Sequence, residues 1–362
     1  MKNILFLINT KFNVLRRRAF LEGLSKKYKV IIVCPENKQI EELHFCEYHY
    51  VHKFKGGSSN PFKDIKYFFE LLQINKIYQP KLILAFTIKP IIYAGLLNRD
   101  INKIGTLTGL GYSFEKMNLK AIVARRLFRL SITQYDHIIV QNKSDKDLLQ
   151  KKISNPPITI APGSGVDFNN FIKPNLERGI SRNMLMIGRL INAKGFRLLL
   201  NNKEELEQFL INNNLHLQII GDYDKSNPDS IGISEIESLI DMKNLSLITS
   251  HVDVNEFYQN ADILVNLSSR EGLNRVILES MYFGCSVITL KNPGCYEMIK
   301  DHSLNLVMNE FSLNAIKDFC SSFYSKKPQF IQDQRINNQL HIINNYSADI
   351  VLNLYKNLIK SI

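Results

Sequence analysis

Two glutamates stand eight residues apart in the run Ser269-Arg270-Glu271-Gly272-Leu273-Asn274-Arg275-Val276-Ile277-Leu278-Glu279. An apolar run, Ile263–Leu267, precedes the first, and a helix from about Asn274 to Phe283 is predicted to carry the second. Such a helix start offers free backbone N–H groups and the positive end of its dipole, which suit a phosphate. The backbone of Gly272, Leu273 and Asn274 would add to that cradle. Glu271, at its mouth, can accept hydrogen bonds from hydroxyls. Glu279, about two turns further on, can meet a second hydroxyl pair such as that of a ribose. A second run, Ile187-Gly188-Arg189-Leu190-Ile191-Asn192-Ala193-Lys194-Gly195-Phe196, follows a predicted strand. Gly188 permits close backbone approach, and Arg189 with Lys194 supplies two cations able to clamp a diphosphate. Together the two runs suit a nucleotide sugar. On spacing alone, the glutamates also read as a helix-start acid and a solvated helix residue.

The elements that must position these residues alternate from end to end. Strands are predicted at 3–8, 29–34, 48–54, 81–86, 103–107, 137–141 and 158–161, with helices at 15–27, 61–78, 91–98, 119–133 and 143–152 between them. The segment Pro162–Arg182 contains Pro162, Gly163, Gly165, Pro174 and Gly179 and reads as a connection. A second alternation follows. Its strands are 184–187, 215–220, 245–249, 263–267 and 286–290, and its helices lie near 196–210, 234–241 and 274–283. Continuous apolar strands separated by helices imply parallel sheets covered on both faces. The expectation is an α/β chain of two doubly wound Rossmann-like domains facing a cleft: 1–165, 166–345, and a final helix within 346–362 able to pack back on the first domain. Ligands of such sheets bind at the carboxyl ends of the strands.

The chain has 362 residues, 45% of them hydrophobic and 22% charged, enough for two cores and too structured in pattern for a disordered chain. The net charge is +12, unevenly spread. Residues 1–165 carry 27 Lys and Arg against 12 Asp and Glu, whereas the remainder carries 19 against 22. The basic half therefore expects an anionic partner: nucleic acid, an acidic membrane surface or a phosphorylated substrate. Lys120–Ile132, with Arg125, Arg126 and Arg129 among Ile122, Val123, Leu127 and Phe128, is a candidate basic amphipathic helix. No recognised reader module supports a nucleic-acid binder. The five cysteines lack metal or disulfide spacing, and no apolar run reaches the ~18–20 residues needed to cross a bilayer. A cytoplasmic protein is expected.

Gly188-Arg189, Lys194-Gly195 and the Glu271–Glu279 pair resemble the second domain of the retaining GT-B glycosyltransferases of family 4. Gly163-Ser164-Gly165-Val166-Asp167, Asn260-Ala261-Asp262, Met281–Ile288 and Pro293–Glu297 fit the same pattern, as do Phe86–Pro90 and Thr108–Phe114 in the first half. The latter resemble enzymes that build O-antigens, capsules and other glycans on undecaprenyl diphosphate. The chain departs from the family at Asn9–Asn13, where many relatives have a Gly-rich loop. It also departs at Phe86-Thr87, where some have a His, and at Ser286, where many have Pro.

The resemblance implies an enzyme transferring a sugar from a UDP-sugar to a lipid-linked saccharide. Arg189 and Lys194 would hold the diphosphate and stabilise the leaving group, Glu271 would bind donor-sugar hydroxyls, and Glu279 the ribose. Neither metal nor cofactor is expected, since two cations and a helix end supply the positive charge. Lys89, Thr108, Gly109 and Gly111 are candidate acceptor residues. The resemblance of Thr108–Phe114 and Ser59-Asn60-Pro61 points to N-acetylgalactosamine as the sugar, with N-acetylglucosamine, fucose or another hexose as alternatives. It also implies peripheral attachment to the anionic inner face of the cytoplasmic membrane. An inactive GT-B membrane partner is the competing reading from another class.

Overall fold

The computed structural model describes residues 1–35, 43–50, 61–109, 119–223, 227, 229–249, 252–299 and 304–362. The chain divides into two compact units, Met1–Gly165 with Ala348–Ile362, and Val166–Ser347.

Unit 1 runs β1 (Lys2–Leu7), α1 (Lys11–Leu15), α2 (Arg18–Ser25), β2 (Tyr28–Cys34), β3 (Glu47–Tyr50), α3 (Pro61–Tyr78), β4 (Leu82–Phe86), α4 (Ile88–Gly95), β5 (Asn102–Thr106), α5 (Leu119–Ile132), β6 (His137–Val140), α6 (Lys143–Gln150) and β7 (Ile158–Ile160). Its sheet has the order β3-β2-β1-β4-β5-β6-β7, and every paired neighbour is parallel. Alternate residues of β1 serve opposite faces. Leu5 and Leu7 pack with Tyr67, Leu71, Ile91 and Phe128 of α3, α4 and α5. Ile4 and Phe6 pack with Phe20, Leu21 and Leu24 of α2.

Unit 2 runs β8 (Asn183–Ile187), α7 (Phe196–Asn201), α8 (Lys203–Asn212), β9 (His216–Ile220), α9 (Ile233–Ile240), β10 (Leu245–Ile248), α10 (Asn255–Asn260), β11 (Ile263–Asn266), α11 (Arg275–Tyr282), β12 (Ser286–Leu290), α12 (Pro293–Ile299), β13 (Leu306–Met308), α13 (Leu313–Tyr324) and α14 (Pro328–Tyr346). Its sheet is also parallel, in the order β10-β9-β8-β11-β12-β13. The order reverses between β8 and β11, the switch point at which such sheets bind ligands.

The last helix, α15 (Ala348–Ser361), belongs to unit 1. Val351, Leu352 and Tyr355 are buried in the α2 layer, and the Tyr355 hydroxyl shares a hydrogen bond of 2.5 Å with Thr106 Oγ1. A Cβ on Gly23 would lie 2.2 Å from Leu352 Cδ2, so any larger residue there would force the Leu352 side chain to move.

Several details differ from the sequence expectation. The helix expected over 15–27 is two: α1 begins at once after β1, capped by Thr10 Oγ1, which accepts from Asn13 N at 3.2 Å. The helix expected near 196–210 breaks at Asn202, whose φ of −121° and ψ of 24° lie outside the helical region. The glycine- and proline-rich connection is packed into unit 2 from Val166 onward. Val166 N donates to Tyr346 O at 2.9 Å, and the Phe168 ring stacks on Tyr282 at 4.5 Å between centroids. Part of the strand expected over 48–54, the loop 55–60 and residues 110–118 lie outside the described residues.

Candidate functional site

The site grows from the carboxyl ends of β8 and β11, side by side at the switch point of unit 2. After β8 the chain passes through Gly188 and the exposed Arg189 into a single 3-10 turn, Asn192–Lys194. The turn closes at Gly195, with φ of +88°. A side chain there would be strained by the left-handed backbone and blocked as well: its Cβ would stand 2.3 Å from Leu267 Cβ and 2.4 Å from Leu267 O. The contact seats the Lys194 turn directly on the loop that follows β11. Ser269 N donates to Ala193 O at 3.0 Å and joins the two loops a second time.

A third segment fixes the turn from the far side. Asp229 Oδ2 accepts from Ala193 N at 2.8 Å, and Asp229 O accepts from Asn192 N at 2.9 Å. Arg197, one turn further along, donates through Nε to Asn192 Oδ1 at 3.0 Å and pairs with Glu235.

The β11–α11 loop brings Glu271 to Lys194. Lys194 Nζ donates to Glu271 Oε1, and Asn274 Nδ2 donates to the same oxygen at 3.2 Å. Asn274 is also the N-cap of α11, its Oδ1 accepting from Ile277 N at 3.3 Å. One side chain thus satisfies an otherwise orphaned helix donor and steers a carboxylate. The loop lies against α12, where a Cβ on Gly294 would come within 2.5 Å of both Glu271 O and Gly272 O. Asn292 Nδ2 holds Ser268 O at 2.9 Å.

Glu279 projects from α11 with both carboxylate oxygens engaged. Arg275 Nε donates to Oε1 at 2.5 Å and the Tyr258 hydroxyl to Oε2 at 3.0 Å. Of the residues singled out in the sequence, Gly188, Arg189, Lys194, Glu271, Gly272, Leu273, Asn274 and Glu279 all lie in these two loops of unit 2 and on the helix that the second one starts.

The remaining candidates belong to unit 1. Lys89, on α4, pairs with Asp64 of α3 at 3.0 Å. Thr108 and Gly109 follow β5, and Gly109 takes φ of 115°, which favours glycine. Gly111 lies outside the described residues. Tyr258, Asp229 and Asn292 were not foreseen. Their partners are distant in sequence, and only the neighbouring runs Asn260-Ala261-Asp262, beside Tyr258, and Pro293–Glu297, beside Asn292, gave a signal near any of them.

No described cysteine is placed as a nucleophile. All five are buried thiols outside any disulfide, and burial pushes the Cys285 thiol up to about 11 and Cys46, Cys295 and Cys320 to about 12. Two Asp-x-Asp runs occur in the chain, Asp145-Lys146-Asp147 and Asp222-Tyr223-Asp224. Asp145 N is capped by Asn142 Oδ1 at 2.7 Å, Asp222 O accepts from Leu190 N at 3.0 Å, and Asp224 lies outside the described residues.

Residues 3–142 match the family model described as "Glycosyl transferase 4-like", and residues 181–325 match "Glycosyl transferases group 1". The chain is a group 1 glycosyltransferase. An uncharacterized glycosyltransferase of Haemophilus influenzae is 27% identical over 175 residues, a match covering 47% of this chain and 46% of that protein. This group 1 chain thus spans about half the length of that relative. The N,N'-diacetylbacillosaminyl-diphospho-undecaprenol alpha-1,3-N-acetylgalactosaminyltransferase of Campylobacter jejuni is 23% identical over 299 residues, 76% of each chain. Among solved structures, Anabaena HepE in complex with UDP and glucose covers 100% of both chains with a TM-score of 0.78 at 15% identity, a likeness of fold. The two parallel-sheet Rossmann-like domains are those of a GT-B glycosyltransferase.

Proposed function

We propose that this glycosyltransferase moves a sugar, N-acetylgalactosamine, with retention from a UDP-sugar to an undecaprenyl-diphosphate-linked saccharide of a cell-surface polysaccharide such as an O-antigen or capsule. The observation that carries the proposal is the meeting of Lys194, Glu271 and the start of α11 at the β8/β11 switch point. That cluster offers a cation and helix-end N–H groups to a diphosphate, and a carboxylate to sugar hydroxyls. The UDP donor class is supported by the UDP bound to HepE, and the acceptor class and sugar by the Campylobacter relative.

In the proposed reaction the C1–O bond to the β-phosphate breaks and the acceptor oxygen bonds to C1 on the same face. The acceptor hydroxyl proton passes to the departing phosphate oxygen, and UDP leaves. Negative charge grows on the phosphate as the bond breaks, so Arg189, Lys194 and the α11 N–H groups act most strongly at the transition state. Glu271 orients the sugar and Glu279 the ribose. The reaction is proposed to need no metal. The acceptor side is assigned to unit 1, through Lys89, Thr108, Gly109 and Gly111.

Attachment to an anionic leaflet is part of the same reading. On α5, Ile122, Val123, Leu127 and Leu130 are exposed beside exposed Arg126 and Arg129. On α3, packed on the same sheet face, Ile65, Phe69 and Leu72 are exposed beside Lys63 and Lys66. Apolar and basic side chains sharing one helix face suit a lipid surface. Among the described residues no helix is long and apolar enough to cross a membrane.

The test is transfer by purified protein from a panel of UDP-sugars to an undecaprenyl-diphosphate-linked amino sugar, with EDTA present. Turnover with UDP-N-acetylgalactosamine, an unchanged anomeric configuration and its loss in Lys194→Ala are expected. Normal turnover by Lys194→Ala would overturn the site.

A further inference from the structure

Glu279 is held at both oxygens by side chains of the protein. Arg275 Nε holds Oε1 from one turn earlier on α11, and the Tyr258 hydroxyl holds Oε2 from a different element, α10. Tyr258 is 1% exposed, and its ring stacks on Phe283 at 5.6 Å between centroids with an angle of 25°. A phenol this deeply buried needs a partner, and Glu279 provides it. Burial and the Glu279 charge push the Tyr258 hydroxyl well above its ordinary value, so it stays a donor.

An ionised carboxylate has about four lone-pair sites. With one bond to each oxygen from the protein, one further site remains on each, and the two lie in a plane that Tyr258 and Arg275 set together. That arrangement matches two neighbouring hydroxyls. We propose that Tyr258 is a positioning residue for ribose recognition, fixing the plane of Glu279 so that the carboxylate accepts from the 2′- and 3′-hydroxyls of the nucleotide at once. The inference rests on the reading of Glu279 as the ribose ligand and adds the group that orients it.

Tyr258→Phe keeps the ring, the Phe283 stack and the filled core, and removes one hydrogen bond to the carboxylate. A residue that only fills space would leave the discrimination between ribose and deoxyribose intact. A residue that aims Glu279 would not. Binding of UDP and of 2′-deoxy-UDP is measured by calorimetry on the whole chain, wild type against Tyr258→Phe, with Glu279→Gln as reference. In wild type UDP binds more tightly than 2′-deoxy-UDP. In Tyr258→Phe, UDP is expected to bind about tenfold more weakly, the scale of one hydrogen bond to a charged group. The 2′-deoxy-UDP affinity is expected to hold nearly constant, so the preference collapses. In turnover, KM for the UDP-sugar rises while kcat is held.

If Tyr258→Phe keeps the wild-type preference while Glu279→Gln loses it, Tyr258 does not aim the carboxylate and the proposal is wrong. If Glu279→Gln also keeps the preference, the ribose reading of Glu279 fails instead, and this inference with it. Should Tyr258→Phe not fold, Arg275→Met reads the other half of the grip by the same ratio: a collapsed preference supports the two-sided hold, and an unchanged one overturns it.

Discussion

Lys194 and Glu271, 77 positions apart, form an ion pair. The cation assigned to the diphosphate is therefore neutralised by the carboxylate assigned to the sugar. On the proposed reading, a bound donor replaces both halves of that pair at once, phosphate for Glu271 and hydroxyls for Lys194. On the same reading UDP, which lacks the sugar, would replace only one half and leave the carboxylate competing for the lysine. Glu271→Gln is expected to bind UDP severalfold to about tenfold more tightly than wild type, the range for the net worth of one ordinary hydrogen bond, while losing at least an order of magnitude in transfer. Calorimetric titration with UDP and an activity assay check the two halves. UDP binding no tighter than wild type would exclude the competition.

Gly195 joins the two site loops through its contact with Leu267. Gly195→Ala must place a Cβ against backbone while holding φ near +88°. A loss of about 3 kcal/mol is expected from strain and overpacking combined, or roughly 6–12 °C in the melting of a domain this size. Thermal unfolding with and without UDP measures it, and UDP should restore less stability to the variant than to wild type.

Asp262 and Arg335 form a buried pair at 2.9 Å, with side chains 0% and 4% exposed. The second Asp262 oxygen accepts from Ser181 N at 2.9 Å and Arg182 N at 2.8 Å. Asp262→Ala leaves a guanidinium and two backbone donors without their anion. A loss of about 3–5 kcal/mol is expected in a urea titration, with any surviving folded protein keeping its affinity for UDP.

His137 bonds Thr159 Oγ1 at 2.6 Å, linking β6 to β7, and its burial lowers the ring's pKa below the ordinary 6.5. As pH falls, the unfolded chain takes the proton first. Unit 1 therefore loses stability as pH drops from about the ordinary histidine value through the depressed one, and regains it above. Urea midpoints between pH 7.5 and pH 5 should fall more steeply for wild type than for His137→Gln. Equal slopes would count against the burial effect.

Arg126 and Arg129 stand exposed beside the exposed Ile122, Val123, Leu127 and Leu130 of α5. Near an anionic bilayer each is worth ~1 kcal/mol. Arg126→Ala with Arg129→Ala should reduce co-sedimentation with phosphatidylglycerol vesicles by roughly thirtyfold. Binding to neutral phosphatidylcholine should not change, and neither should the melting temperature.

Much of this architecture is legible in the sequence because parallel strands buried on both faces read as uninterrupted apolar runs. Ile4–Leu7, Val30–Cys34 and Leu82–Phe86 are examples. The two site loops are legible for a related reason, since each follows such a run directly. Helix α14 is not legible. Its buried face includes Arg335 and Asn338 beside Ile331 and Ile342, so the polar residues that anchor it erase the apolar period that would announce it. The breaks at Arg17 and Asn202 are local losses of helical geometry with no proline or glycine to mark them. Pairings across the fold are hidden as well. Asp262 reads as a family marker without a task until Arg335 appears beside it, and nothing near Tyr258 announces Glu279 as its partner.

Helix α15 closes the core of unit 1, yet it is made only after the whole of unit 2. On the ribosome the amino-terminal sheet emerges first and must wait, its α2 layer uncovered over Phe20 and Gly23, while all of Val166–Ser347 is synthesised. The second unit has everything it needs sooner than the first. Nascent chains of this protein should therefore gain protease resistance in the order opposite to that of their synthesis.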